Sequence, residues 1–242
     1  MNSATTFAPA PRLASRHRPR RLGPRILLVA IGLFIVAIVY CGSALIKTPG
    51  WYRPPMIPPE SQQKVRNSLI AAEQAFTRNV AAGHSFIYHL YQEDLNRWLA
   101  MRREIYPRVD ELFPPGVSDP FVVISPESVT LAIRYQTAWH STVVSMEFDV
   151  VFRDDAIELA AKSVRCGNLR LPKNLEALKL DRRIVLDRNG AWPGSPQMQG
   201  DLLSGLRLDS RSRWKNGGVE YRVTNLSLLP GRIDFSIEPL GR

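Results

Sequence analysis

Residues 128–153, SVTLAIRYQTAWHSTVVSMEFDVVFR, decide the fold. From Ser128 to His140, Val129, Leu131, Ile133, Tyr135, Thr137 and Trp139 alternate with Thr130, Arg134, Gln136 and His140. Val144, Met146, Phe148, Val150 and Phe152 then alternate with Ser145, Glu147, Asp149 and Arg153. A period of two sends successive side chains to opposite faces, so each run reads as a strand with one apolar side. Asp154-Asp155 reads as a turn, and Ile157, Leu159 and Ala161 begin a third strand. Strands near 128–140, 143–153 and 156–165, joined by short polar turns, predict an antiparallel meander.

Towards the C-terminus, Leu206–Trp214 and Val219–Leu228 flank Lys215-Asn216-Gly217-Gly218, where glycine accepts the positive φ of a tight hairpin. Pro230-Gly231 turns the chain again into Ile233, Phe235 and Ile237. Between the β regions, Leu169-Arg170-Leu171-Pro172 closes the meander, and Leu175 to Leu186 has helical spacing.

Upstream, Val65, Leu69, Ala72, Phe76 and Val80 recur at helical period from about Glu60 to Ala82, with Gly83 as a stop. Phe86, Tyr88 and Leu90 share one side of a short strand. Leu95, Trp98, Leu99 and Ile105 form the stripe of a second helix from Glu93 to Ile105, which Pro107 ends. Asp110 to Pro120, with Pro114-Pro115-Gly116, reads as a loop.

Residues 26–46, ILLVAIGLFIVAIVYCGSALI, carry no charge. A membrane span takes roughly 20 apolar residues, so this stretch predicts a transmembrane helix. Six arginines precede it, from Arg12 to Arg25, and no acidic residue occurs before Glu60. Basic flanks remain cytoplasmic, which places the N-terminus inside and the main domain outside the inner membrane, in the periplasmic or extracytoplasmic space. The expected organisation is a basic arm at 1–25, a single-pass helix at 26–46, a Pro-rich spacer at 47–59 and an extracytoplasmic domain at 60–242. Trp51 and Tyr52 then fall at the outer headgroup level. The alternative is a cleaved signal peptide, with Gly42-Ser43-Ala44 as the processing site.

Of the 32 Lys and Arg residues, the six in the arm account for much of the net charge of +10. The remainder leaves about +4 spread over the rest of the chain, which argues against nucleic acid as a partner. The two cysteines, Cys41 and Cys166, provide no disulfide framework for the domain. Cys166 reads as a small buried apolar residue.

Chemistry-bearing motifs are scarce. Glu93-Asp94 lies in the first turn of a helix, where acids stabilise the positive end. His84 and His89 flank a strand at odd spacing and point to opposite faces, which is unsuited to a shared metal. There is no phosphate loop, nucleophile elbow, zincin helix or cysteine pair. The chain therefore reads as a non-enzyme, without metal or cofactor.

One order of features resembles a known bacterial pattern. An amphipathic helix, a short strand, a helix opening Gln92-Glu93-Asp94-Leu95-Asn96-Arg97-Trp98-Leu99, then a meander ending in Gly167-Asn168-Leu169-Arg170-Leu171-Pro172 resemble the YpmS-like envelope family. That resemblance implies the tubular lipid-binding (TULIP, BPI-like) fold and lipid handling without a catalytic site. The expected fold class is α+β: an N-terminal transmembrane helix, then a twisted antiparallel sheet wrapped around a long amphipathic helix. The expected function is a membrane-tethered envelope protein that binds a lipid or another long apolar molecule. Its lining would be Leu95, Trp98 and Leu99 of the helix with Leu131, Ile133, Met146, Phe148 and Val150 of the sheet. The alternative is a structural ectodomain that docks onto an envelope protein partner. A binder keeps an apolar cavity of roughly 300 Å³ or more, whereas a scaffold packs it solid.

Overall fold

The computed structural model describes residues 33–36, 39–40, 42–105, 115–171, 198–201, 205–213 and 218–241. Two units are distinguished, Met1–Tyr40 and Cys41–Arg242. In the first, the described residues 33–36 and 39–40 are helical. The second holds all the strands among the described residues.

Among the described residues, no helix is long and apolar enough to cross a membrane, and this overturns the expected transmembrane segment and single-pass topology. A physical reason is visible at the C-terminal end of the apolar stretch. Residues 42–46 are helical, and their last carbonyls are taken up by the folded domain. The backbone N–H of Asn168 donates to the Ala44 oxygen at 2.9 Å. The Thr142 hydroxyl donates to the Leu45 oxygen. Helix ends need partners for four carbonyls, and here Asn168 and Thr142 supply two of them.

Gly167 makes that close approach possible. It lies at φ +58, and a Cβ there would stand 2.5 Å from the Leu45 oxygen and nearer still to that of Ala44. Gly167→Ala is therefore expected to cost about 1–2 kcal/mol in backbone strain alone, before the collision is counted. Chemical denaturation should show the loss, and tryptic cleavage after Lys47 should accelerate. An unchanged cleavage rate would mean that Leu45 is not seated against Gly167.

The supposed spacer is part of the fold. Tyr52 is only 4% exposed and belongs to a buried cluster with Phe121, Ala132 and Val143. It is thus a core residue and not an interfacial anchor.

Helix α1 (Pro59–Ala81) starts with proline at its first position and Glu60 in its first turn, and Gly83 at φ +75 follows its cap. Strand β1 (Phe86–Tyr91) leads directly into α2 (Gln92–Ala100) and the short α3 (Arg102–Ile105). Then come β2 (Val117–Ile124), β3 (Val129–Gln136), β4 (Ser141–Arg153), β5 (Ala156–Cys166) and β6 (Leu169–Leu171). After these the described chain holds β7 (Met198–Asp201), β8 (Gly205–Asp209), β9 (Arg211–Arg213), β10 (Glu220–Leu229) and β11 (Arg232–Leu240). The helix expected at 175–186 lies outside the described residues.

Two antiparallel sheets result. The smaller has the order β1-β11-β10-β9, and the larger β2-β3-β4-β5-β8-β7, with β6 also on β5. Strands β3, β4 and β5 are consecutive neighbours, as their alternation predicts. Asp154 and Asp155 both have positive φ, 48° and 54°, which suits a two-residue turn matched to strand twist.

The sheet does not wrap around the long helix. Helix α1 is buried only through Phe76 and Val80, which meet Ile237 of the small sheet. Phe76 makes edge contacts with Phe86, Tyr88 and Tyr221 at centroid distances of 5.8, 5.0 and 5.6 Å. Two further expectations need revising. The loop expected at 110–120 gives way to strand from Val117, because Phe121 to Ile124 carry the edge strand backwards through a bulge at Asp119 and Pro120. The simple hairpin expected at 206–228 is split between the two sheets. Strand β8 pairs with β5, and β9 pairs with β10. The chain changes sheet at Ser210, whose N–H donates to the Asp155 oxygen at 3.0 Å while its own oxygen accepts from Val223 N–H at 2.9 Å. Such corners are how strands pass between packed sheets.

Candidate functional site

Register sorts every residue of the large sheet onto one of two faces. Directly opposed residues share a face, so Leu131, Met146 and Val164 stand in one row and Ile133, Val144 and Cys166 in the next. Past the β5 bulge, Val150 faces Leu159 and Leu206, and Phe152 faces Ile157 and Leu208. This face is apolar across four strands.

One end of the face is closed. Leu99, Val122, Ile124 and Ile233 form a buried cluster with Leu90, Leu95, Trp98, Val129, Leu131, Leu226, Leu228 and Phe235 packed against it. Four of the expected lining residues, Leu95, Trp98, Leu99 and Leu131, are thus brought together, but as shared core between the two sheets and α2. Phe148 lies on the same face and is buried at 4% exposure. Ile133, Met146 and Val150 are outside that cluster and half-buried. So are Val144, Phe152, Ile157, Leu159, Leu206 and Leu208. These last residues fall outside the expected lining, because membership depends on which strands pair and not on any single run.

The helix opening Gln92 to Leu99 has a definite structural task. Asn96 is 4% exposed, and its amide donates to the Val122 oxygen at 2.8 Å while accepting from Val122 N–H at 2.7 Å. One turn earlier, Gln92 accepts from Ile124 N–H at 2.7 Å. Strand β2 is an edge of the large sheet, and its outward backbone groups would otherwise be open to pairing with another chain. Side chains at i and i+4 meet that row because they share a helix face. Glu93 and Asp94 instead pair with Arg97 at 3.1 Å each, on the surface.

The opposite face of the large sheet is mixed: Phe121, Ala132 and Val143 are buried on it under Tyr52, and polar residues occupy the part beside them. A groove of about 310 Å³ runs across it, lined by Ser128, Thr130, Ser145, Glu147, Ser163 and Arg165 with Trp51 as a wall. Ser163 donates to Glu147 at 3.0 Å, and Lys162 lies 3.3 Å from the same carboxylate. Partial burial pushes the Glu147 carboxyl up, but hydrogen bonds from Ser163, Lys162 and Ser128 outweigh this and hold it below the usual carboxylate range. Sequence reading misses this groove, although the alternation already sets Thr130, Ser145 and Glu147 on the polar side.

The remaining candidates are dispersed. His89 pairs with Asp234 at 2.7 Å across neighbouring strands of the small sheet. Cys166 is half-buried, with its sulfur 3.4 Å from the Thr142 hydroxyl. Among the described residues, no three His, Cys, Asp or Glu side chains converge to hold a metal.

The sequence matches no protein-family model. Neither a curated protein nor a solved structure matches it. The two faces of the large sheet are therefore the basis for any functional reading.

Proposed function

We propose that this protein is a non-catalytic binder of a long apolar molecule, the acyl chain of a lipid, held along β4, β5 and β8. One observation supports it. Met146, Val150, Phe152, Ile157, Leu159 and Leu206 form adjoining rows on one sheet face and are only half-buried, where a face meant for water would carry polar residues. Each methylene that a ligand withdraws from water contributes about 0.8 kcal/mol. A chain of about a dozen carbons thus contributes ~10 kcal/mol, comparable to the ~4–15 kcal/mol cost of association. Affinity then depends on how much of the chain is covered.

The test is uptake of a dansylated fatty acid, followed by fluorescence, with native mass spectrometry and organic extraction of the purified protein. Val150→Asp and Leu159→Asp put a carboxylate against the chain and should weaken uptake at least about tenfold, since an unpaired buried charge is strongly disfavoured. Val151→Asp, on the polar face of the same strand, should leave it unchanged. Equal uptake by all three variants would remove the proposed site.

The second reading is a structural domain that docks onto another protein. The solid packing of Leu95, Trp98, Leu99 and Leu131 favours it, because the seam expected to hold the ligand is filled. Under that reading the wild-type protein takes up no fatty acid and carries no extractable lipid.

A further inference from the structure

Arg165 and Arg170 stand directly opposite each other on β5 and β6, and both are exposed. They occupy the polar face, away from the apolar rows, so a ligand held by them is independent of lipid uptake on the other side of the sheet. Like charges at directly opposed positions repel. Among the described residues neither guanidinium has an ion-pair partner. Glu147, the acid of the adjoining row, is engaged by Lys162 and Ser163. Among the described residues the sheet thus holds two cations side by side with no acid paired to either.

Arg165 lines the groove together with Ser163, Ser145, Thr130, Glu147 and Trp51. Arg170 adjoins it through its pairing with Arg165. Ser145 is buried at 3% exposure. The Trp51 ring is set by an edge contact with Tyr52 at 6.2 Å, and Tyr52 is itself fixed in the core. This wall is therefore positioned before any ligand arrives.

We propose that the groove binds a phosphate ester carried on a hydroxylated group, such as a sugar phosphate. Arg165 and Arg170 take the phosphoryl oxygens, a role that suits the planar guanidinium fork. Ser145 and Thr130 exchange hydrogen bonds with ligand hydroxyls, and Trp51 packs on the carbon face of the ring. The same chemistry occurs in the headgroup of an anionic phospholipid, so the test separates the two sources.

Calorimetry on the full chain uses glucose 6-phosphate, inorganic phosphate and glucose as soluble probes. Vesicles of phosphatidylcholine with and without phosphatidylinositol form the other arm. Glucose 6-phosphate is expected to bind, with the Arg165→Gln/Arg170→Gln double variant weaker by roughly tenfold or more. Trp51→Leu should weaken glucose 6-phosphate while leaving inorganic phosphate unchanged. Without ligand, the double variant should melt no lower than wild type, because a repulsion has been removed. Binding only to phosphatidylinositol vesicles, lost in the double variant, would uphold the phosphate site and assign it to a headgroup. Equal affinity of wild type and double variant for every probe, glucose binding as tightly as its phosphate, or no binding in either arm would overturn the proposal.

Discussion

Asn96→Ala is expected to destabilise the domain by about 2–6 kcal/mol, because it strands two backbone groups at once. The Val122 N–H and carbonyl both lose their partner, and Val122 is only 6% exposed, so water does not replace it freely. Each buried polar group left unmade costs about 1–3 kcal/mol. Against a typical total of about 5–15 kcal/mol, that is a large share. Gln92→Ala removes a single bond to Ile124 and should cost less. Asp94→Ala breaks only a surface pair with Arg97 and should stay within about 0.5 kcal/mol of wild type. Urea denaturation of the three variants orders them, and a mild Asn96→Ala would mean that α2 is not clamped to the sheet edge. The same variant should also aggregate faster, since the unprotected edge is the apolar run Phe121 to Ile124.

Tyr52→Ala is the second change with a large expected effect, at about 3–5 kcal/mol, the usual range for deleting a buried aromatic ring. The ring meets Phe121 edge-on at 5.9 Å, and its hydroxyl donates to the Asp119 oxygen at 2.5 Å. Tyr52→Phe keeps the packing and should lose only about 1 kcal/mol near neutral pH. The pair also predicts a pH signature. Burial, followed by the charge of Asp119, raises the Tyr52 pKa from 10.0 to about 12, so the fold favours the neutral phenol. Stability from this group is complete below pH 10 and is lost as pH rises towards 12, because the unfolded chain releases the proton first. The loss approaches about 1.4 kcal/mol per pH unit in that window, and Tyr52→Phe does not suffer it. Melting temperatures of the two proteins should therefore converge between about pH 10 and 11, and parallel curves would show that Tyr52 ionises freely.

Local reading succeeds where one periodicity has one consequence. Thr130 and Glu147 belong to the polar face because alternation leaves β3 and β4 a single register, whereas Ser163 joins them only through the bulge at Lys162, since strict alternation would set it beside Leu159 and Ala161. The helix ending before Gly83 is legible for the same kind of reason, since a glycine stop and a 3.6 period act within a few turns. Apolar residues without a partner in the sequence are harder. Leu95, Trp98 and Leu99 have the composition of a ligand channel and of a core alike, and only the arrival of Ile233, Leu226 and Leu228 from the last hairpin fills the space. The apolar stretch before Lys47 reads as a membrane span by composition, yet its last turn is received by Thr142, Gly167 and Asn168, far away in the chain.

The sequence by itself therefore determined the strands of the central meander, the apolar face of β3 and β4 and the helix that precedes them, because pleat and helical period are properties of neighbouring residues. Tertiary structure alone decided that Tyr52 is core, that Asn96 closes a sheet edge, and that Ser210 passes the chain from one sheet to the other. It also brought Arg170 beside Arg165 and set Trp51 over the groove. Burial and hydrogen-bond satisfaction depend on which distant segments meet, and no local pattern encodes that choice.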